Sequence, residues 1–273
     1  MLLVRWTSLA AATGAALIST SVALGVGPWP GLAAAVRSPR GDVRYTASRS
    51  DGSTVVRAVR AAADGGVVAH VTLDGLWGIP AITSTGVAGG LSPDGRTLVL
   101  SEAPSYNGLR SQSRFLVLST RTLAVEKTIV LDGEFGFDVL SPDRRTLYVL
   151  QHRSRADLVS YVVRAYDLAR NRLLPGTIVA KGETGSMRGY PVARATTGGG
   201  SWVYTLYHRG NGEPFIHALN TVRSSAVCID LPHVAARDIW TMRLSVSPDG
   251  RQLLVRSRGS RIAAVDIKTL RLL

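Results

Sequence analysis

The sequence predicts an all-β fold, a β-propeller of about five four-stranded blades, closed or incomplete, preceded by an amino-terminal apolar segment. Three observations lead there. A Ser-Pro-Asp hairpin signature recurs with a spacing of about fifty residues. A second strand-and-turn element keeps the same spacing. No long amphipathic helical pattern is found after residue 40. The chain has 273 residues, 45% of them apolar, which is enough for a packed core. All-β folds of ~200–250 residues are ordinarily single domains.

The chain opens on a segment of a different kind. Arg5 is the only charge before Arg37, and residues 9–27, LAAATGAALISTSVALGVG, are uncharged and rich in small residues. A short basic start, an apolar run and the small-residue site Ala33-Ala34-Ala35 match an export signal. The uncharged run also nears the ~20 residues that span a bilayer, so a retained anchor is the other reading. Residues 1–35 are therefore expected to be a signal peptide or N-terminal membrane anchor, and residues 36–273 the propeller. Both readings place the propeller outside the cytoplasm, secreted or anchored to the outer face of the cytoplasmic membrane. They sit uneasily with one detail: if residues 32–37 form an innermost strand, cleavage after Ala35 cuts it.

The repeat follows. Residues 91–100 read LSPDGRTLVL, residues 140–149 LSPDRRTLYV and residues 246–255 VSPDGRQLLV. Ser92 and Ser141 are 49 residues apart, and Ser141 and Ser247 are 106 apart, close to two periods. The intervening copy falls at ATTGGGSWVYTLY, where Gly198-Gly199-Gly200 replaces the Pro-Asp-Gly turn. A degenerate first copy is Ser38-Pro39-Arg40-Gly41. In each, an apolar run enters, a turn reverses the chain and a β-rich run leaves. Proline presets φ at its turn position, and Asp and Gly tolerate the rest, so each copy reads as a hairpin.

The second element supplies the remaining strands. FLVLSTRTL (115–123), VRAYDLARN (163–171), IHALNTVRS (216–224) and IAAVDIKTL (262–270) are apolar strands ending at Ser119, Asp167, Asn220 and Asp266. Each runs into a polar turn and a further strand. The first unit matches, with TVVRAVRAA, the turn Asp64-Gly65-Gly66 and VVAHVTL. Each unit thus holds four short strands. At Ser92–Leu98, Ser141–Leu147 and Ser247–Leu253 the chain resembles the bacterial WD-like, TolB-type and YVTN-type β-propeller repeats. The resemblance covers roughly residues 38–273. It implies the architecture and leaves function open, because such repeats serve scaffolds and enzymes alike.

Ligands of propellers usually meet the loops at the channel mouth. The loops that lead from one unit to the next are DGLWGIP (74–80), DGEFGFD (132–138), KGETGSMRGYP (181–191) and PHVAARDIWT (232–241). Equivalent loops must converge on one face. The expected ligand-binding set is therefore Trp77, Phe135, Tyr190 and Trp240, with the carboxylates Asp74, Asp132 and Glu134. The competing reading packs these rings between blades and leaves the glycines to build turns.

No catalytic residue is assigned. There is no Gly-x-Ser-x-Gly elbow and no His-Glu-x-x-His spacing. No helix follows the repeated glycines to receive a phosphate. His152 and His208 follow strands at nearly equivalent places and form the one histidine pair considered for a metal, but no metal and no cofactor are expected. The lone Cys228, between Val227 and Ile229, reads as an inert buried thiol, and a single cysteine excludes an internal disulfide. The formal charge is +13, and only Lys127, Lys181 and Lys268 among the 32 basic residues are lysines. The arginines are spread along the chain without interleaved aromatics, so specific nucleic-acid reading is not expected. The expectation is a secreted or membrane-tethered binding module, its partner an unidentified protein or a small polar or glycan ligand, with a possible tether through residues 9–27. The alternative is a propeller-type enzyme, such as a lactonase, a glycan-active enzyme or a quinone-dependent dehydrogenase.

Overall fold

A computed structural model of the chain describes residues 31–62, 65–103, 109–154, 157, 159–180, 186–209, 213–232, 234 and 236–273. The expected signal or anchor run, residues 9–27, lies outside the described residues. β1 (Leu32–Ala33) comes first and is followed by five antiparallel blades. The first is β2 (Ala35–Arg37), β3 (Val43–Ser50), β4 (Ser53–Arg60) and β5 (Val67–Asp74). The second is β6 (Trp77–Pro80), β7 (Thr97–Glu102), β8 (Gln112–Ser119) and β9 (Val125–Asp132), and β1 adds to its inner edge by pairing with β6. The third is β10 (Glu134–Leu140), β11 (Thr146–His152), β12 (Ser160–Asp167) and β13 (Arg172–Leu173), with β14 (Met187–Arg188) also on β12. The fourth is β15 (Tyr190–Thr196), β16 (Trp202–His208), β17 (Phe215–Asn220) and β18 (Ser225–Asp230). The fifth is β19 (Met242–Val246), β20 (Gln252–Ser257), β21 (Ser260–Asp266) and β22 (Arg271–Leu272). Among the described residues the only helical element is a six-residue 3-10 turn, Ala236–Thr241. Ala35 begins β2, so cleavage after it would sever β1 and the start of β2 from the blades.

The second strands carry long apolar runs because both faces of an inner blade meet a neighbour. Leu98 and Leu100 pack toward the first blade, while Val99 between them packs toward the third. Leu147 and Val149 face the second blade, and Tyr148 and Leu150 face the fourth. Alternation of side chains along a strand divides one run between two cores. Four such cores join consecutive blades; among the described residues no apolar core of this kind joins the fifth blade to the first. Burying each of these leucines fully contributes about 1.5–3 kcal/mol.

In all five blades the hydroxyl that opens the hairpin accepts the N–H five residues on, and in four of them it also donates to an aspartate. The Ser92 hydroxyl donates to Asp94 Oδ1 (2.6 Å) and accepts the Thr97 N–H (3.0 Å). The Ser141 and Ser247 hydroxyls do the same with Asp143 and Asp249 and with the N–H groups of Thr146 and Gln252. The degenerate first copy keeps the chemistry with its carboxylate moved: Ser38 donates to Asp42 at 2.6 Å. In the fourth copy Thr197 accepts the Trp202 N–H at 3.1 Å without an Asp. The last of its three glycines has a steric reason. A side chain at Gly200 would strike Pro93 of the second blade and lie 3.5 Å from Pro142 of the third. The turns of blades two, three and four therefore nest together. The outer turns are also uniform, since Asp167, Asn220 and Asp266 each accept an N–H two or three residues on.

The fourth turn residue is left-handed throughout: Gly41, Gly95, Gly200 and Gly250 have φ of 72–74°, and Arg144 stands there with φ 59°. That backbone costs a side-chain-bearing residue about 1 kcal/mol or more. The Arg144 contact with Asp94, 3.3 Å between half-exposed groups, offsets little of it. Arg144→Gly is expected to raise stability by roughly 0.5–1 kcal/mol. Urea unfolding checks this, and a loss of stability would show that the cross-blade ion pair outweighs the backbone strain.

Candidate functional site

The first two blade-to-blade crossovers are each fixed by a hydroxyl at the start of a third strand. Thr54 Oγ1 donates to the Gly75 carbonyl (2.8 Å) and accepts the Trp77 N–H (2.8 Å). Ser113 Oγ donates to the Gly133 carbonyl (2.8 Å) and accepts the Phe135 N–H (2.8 Å). Both hydroxyl residues are fully buried. Gly75 and Gly133 have φ of 93° and 117°, and a Cβ on Gly75 would lie 2.9 Å from the Trp77 indole nitrogen. The glycines of the crossovers thus shape a tight turn under an aromatic ring.

This geometry corrects part of the expected site. Trp77 is 7% exposed and Phe135 1%. They occupy the same register, opposite Glu102 and Gln151 on the second strands, and pack into the cores between blades one and two and between two and three. The Trp77 indole N–H is spent on the Asp74 carbonyl at 2.6 Å. Neither ring is presented to a ligand. Glu134 is also buried, at 4% exposure. Arg110 holds it, with backbone N to Oε2 at 2.7 Å and a guanidinium nitrogen to Oε1 at 2.7 Å. Asp74 and Asp132 are exposed, and Asp132 accepts from the Gln112 amide at 3.1 Å.

Tyr190 and Trp240 are different. They are 41% and 46% exposed. Tyr190 pairs with His208 across β15 and β16, and the His208 ring meets Trp240 edge-on, with 5.7 Å between centroids. Two exposed rings and an imidazole therefore share one corner of the crossover end, between blades four and five. Loop residues 181–185 and His233 of the expected arc lie outside the described residues.

His152 occupies the register of His208, opposite Glu134 where His208 opposes Tyr190. It turns inward, is 5% exposed and lies against Tyr161 with 6.2 Å between centroids. The two histidines face different neighbours. Among the described residues no three His, Cys, Asp or Glu side chains are grouped to hold a metal. Cys228 is half-buried at the edge of the core between blades three and four.

Two features were not anticipated. Arg194 of β15 ion-pairs with Asp138 of β10, donates to the Asp138 carbonyl (2.7 Å) and to Thr205 Oγ1 (3.1 Å), and both charged residues are buried. The second is an insertion in the second blade. Trp77 to Ser92 spans fifteen positions where Phe135 to Ser141 spans six. The extra residues form a small hairpin, closed by the Ala81–Ala88 bridge, whose tip reaches the fourth blade. Ser84 N–H donates to the Pro191 carbonyl at 2.7 Å and Thr85 Oγ1 to the Val192 carbonyl at 2.9 Å.

With this geometry in hand, the likeness to known proteins concerns the fold. No protein-family model and no curated protein sequence matches the chain. The β-propeller domain of Cps50 (Swd1) from Myceliophteria thermophila is similar over 88% of this chain and 69% of its own, with a TM-score of 0.52 and 12% identity. The chain is a β-propeller. The propeller is also similar, at a TM-score of 0.46 and 12% identity, to TolB of Acinetobacter baumannii over 87% of its residues, and it spans about half (52%) of that protein's length. Hydrazine synthase of Kuenenia stuttgartiensis is similar over 88% of this chain and 78% of its own, with a TM-score of 0.47 and 15% identity.

Proposed function

We propose that the propeller is an extracytoplasmic binding and interaction module, secreted or tethered through residues 9–27, which seats a glycan or a protein loop on Tyr190, His208 and Trp240. The observation that carries this reading is the pair of half-exposed rings flanking His208 at one corner of the crossover end. Exposed aromatic rings offer a large contact area at low entropic cost, and Tyr and Trp are the side chains that most often dominate interfaces. Asp74 and Asp132 are exposed at the crossovers into blades two and three. Against the lactonase, glycan-active and dehydrogenase readings stands the employment of the carboxylates. Glu134 is held by Arg110, Asp138 by Arg194, and Asp94, Asp143 and Asp249 by their turns. The basic start and uncharged run before Ala33 support export.

Tyr190→Ala and Trp240→Ala are each expected to weaken the best binder from a panel of soluble oligosaccharides and peptides by about tenfold or more, a loss of ~1.4 kcal/mol. An unchanged affinity in both variants would overturn the site. A reporter fused after Leu273 is expected to be active outside the cytoplasm, and activity confined to the cytosol would overturn the localisation.

A further inference from the structure

The opposite end of the channel holds a cavity of about 360 Å³, which the crossover-end residues do not touch. We propose that this cavity is a binding site for a small amphipathic anion, a carboxylate, sulfonate or phosphate carried on an apolar ring body. Its volume falls at the lower end of the ~300–1,000 Å³ typical of small-ligand pockets. Its walls come from the inner strands of blades one, three and four and from the insertion of blade two, with Val36, Ile82, Phe137 and Val139 supplying apolar surface.

The charges in the wall are few and unequal. Asp138 and Arg194 are buried and neutralise one another, and Arg194 also donates to the Asp138 carbonyl and to Thr205 Oγ1. Arg37 is the third charge. It is exposed and forms no ion pair with any described residue. One uncompensated guanidinium at the edge of an apolar cavity selects an anion with an apolar body.

The insertion adds to this cavity a wall that the repeat alone does not supply. Ile82 and residues 88–91 of the hairpin form one wall. In repeat proteins, insertions into single units map to one face, which is often the binding face. The hairpin is tied down at its tip by the bonds of Ser84 and Thr85 to the fourth blade, so the wall exists before a ligand arrives. It also lies so close that no side chain fits behind it. A Cβ on Gly89 would stand 2.5 Å from Ile82 and 3.0 Å from Phe137, and one on Gly90, at φ 87°, would strike the Val99 carbonyl.

The site is independent of Tyr190 and Trp240, and its test separates the two. The probe is 1-anilinonaphthalene-8-sulfonate, titrated by fluorescence into the full chain, with the uncharged N-phenyl-1-naphthylamine as comparator. One saturable site for the sulfonate is expected. Arg37→Gln should weaken the sulfonate about tenfold and leave the uncharged amine unchanged. Thr196→Phe, which fills the cavity from an exposed wall position, should weaken both probes. Tyr190→Ala and Trp240→Ala should change neither. Equal sulfonate affinity in wild type, Arg37→Gln and Thr196→Phe would overturn the proposal, as would loss of sulfonate binding in Trp240→Ala.

Discussion

Trp77→Ala and Phe135→Ala are each expected to destabilise the propeller by about 3–5 kcal/mol, the usual cost of emptying a buried aromatic site. Phe135 is 1% exposed in the core between blades two and three, where it meets Phe115, Ile129 and Phe137. Trp77 is 7% exposed in the core between blades one and two. Each ring's backbone N–H is bound by the hydroxyl of the preceding blade, Thr54 or Ser113, so the surrounding strands are not free to collapse into the space. In a chain of this size the loss corresponds to a melting-temperature drop of roughly 6–20 °C. Tyr190→Ala and Trp240→Ala, which remove half-exposed rings, are expected to stay within about 0.5 kcal/mol of the parent. Thermal melts of the four variants check the division. Small drops in the first pair would return Trp77 and Phe135 to the ligand surface.

The blades were legible because their turns are local chemistry. A serine, a proline, an aspartate and a left-handed fourth residue lie within four positions, so the sequence shows the hairpin before any tertiary contact is known. Even the first copy, with Asp42 displaced from its usual place, forms the same serine–carboxylate bond. The site was legible only in part, because side-chain direction alternates along a strand and a shift of one residue reverses it. Phe135 lies six residues before Ser141, and Pro191 lies six before Thr197. Tyr190 is therefore the counterpart of Glu134, not of Phe135, and the pairing of both with histidines confirms it. Counting back from each turn would have separated the exposed ring from the core rings. The same count reveals the nine-residue surplus of the second blade. No count reveals Arg110, which reaches Glu134 across 24 residues of chain, or Arg194, which reaches Asp138 across 56. Those pairings follow from how blades stack.

Acidification from pH 7 to about pH 4 is expected to cost the propeller several kcal/mol, with buried histidines as the main cause. His217 in β17 is 2% exposed and its Nε2 has no hydrogen-bond partner. Burial pushes its pKa down from 6.5 to about 4, with Asp138 opposing the shift and Arg194 adding to it. His152 is likewise pushed down to about 4 by burial, against the opposing influence of Ser160, Glu134 and Asp157. In the unfolded chain both imidazoles take up a proton near pH 6.5, whereas in the folded chain they stay neutral until about pH 4. The unfolded state therefore binds more protons throughout this window, and stability falls as pH falls. A shift of this size is worth roughly 3 kcal/mol per histidine at 1.36 kcal/mol per unit, reduced where the core relaxes. The turn carboxylates act lower. The Ser141 hydroxyl and the Arg145 N–H hold Asp143 below the usual carboxylate range, so its contribution is present above pH ~4 and lost only beneath it. Two histidines can thus remove about 5 kcal/mol from a domain whose whole stability is ordinarily ~5–15 kcal/mol. His217→Leu keeps the volume and removes one titration. Its melting temperature should fall about half as steeply as that of the parent between pH 6.5 and 4.5. A parent curve that is flat over that range, or a variant curve parallel to a steep parent, would show that burial of neutral His217 does not set the acid limit.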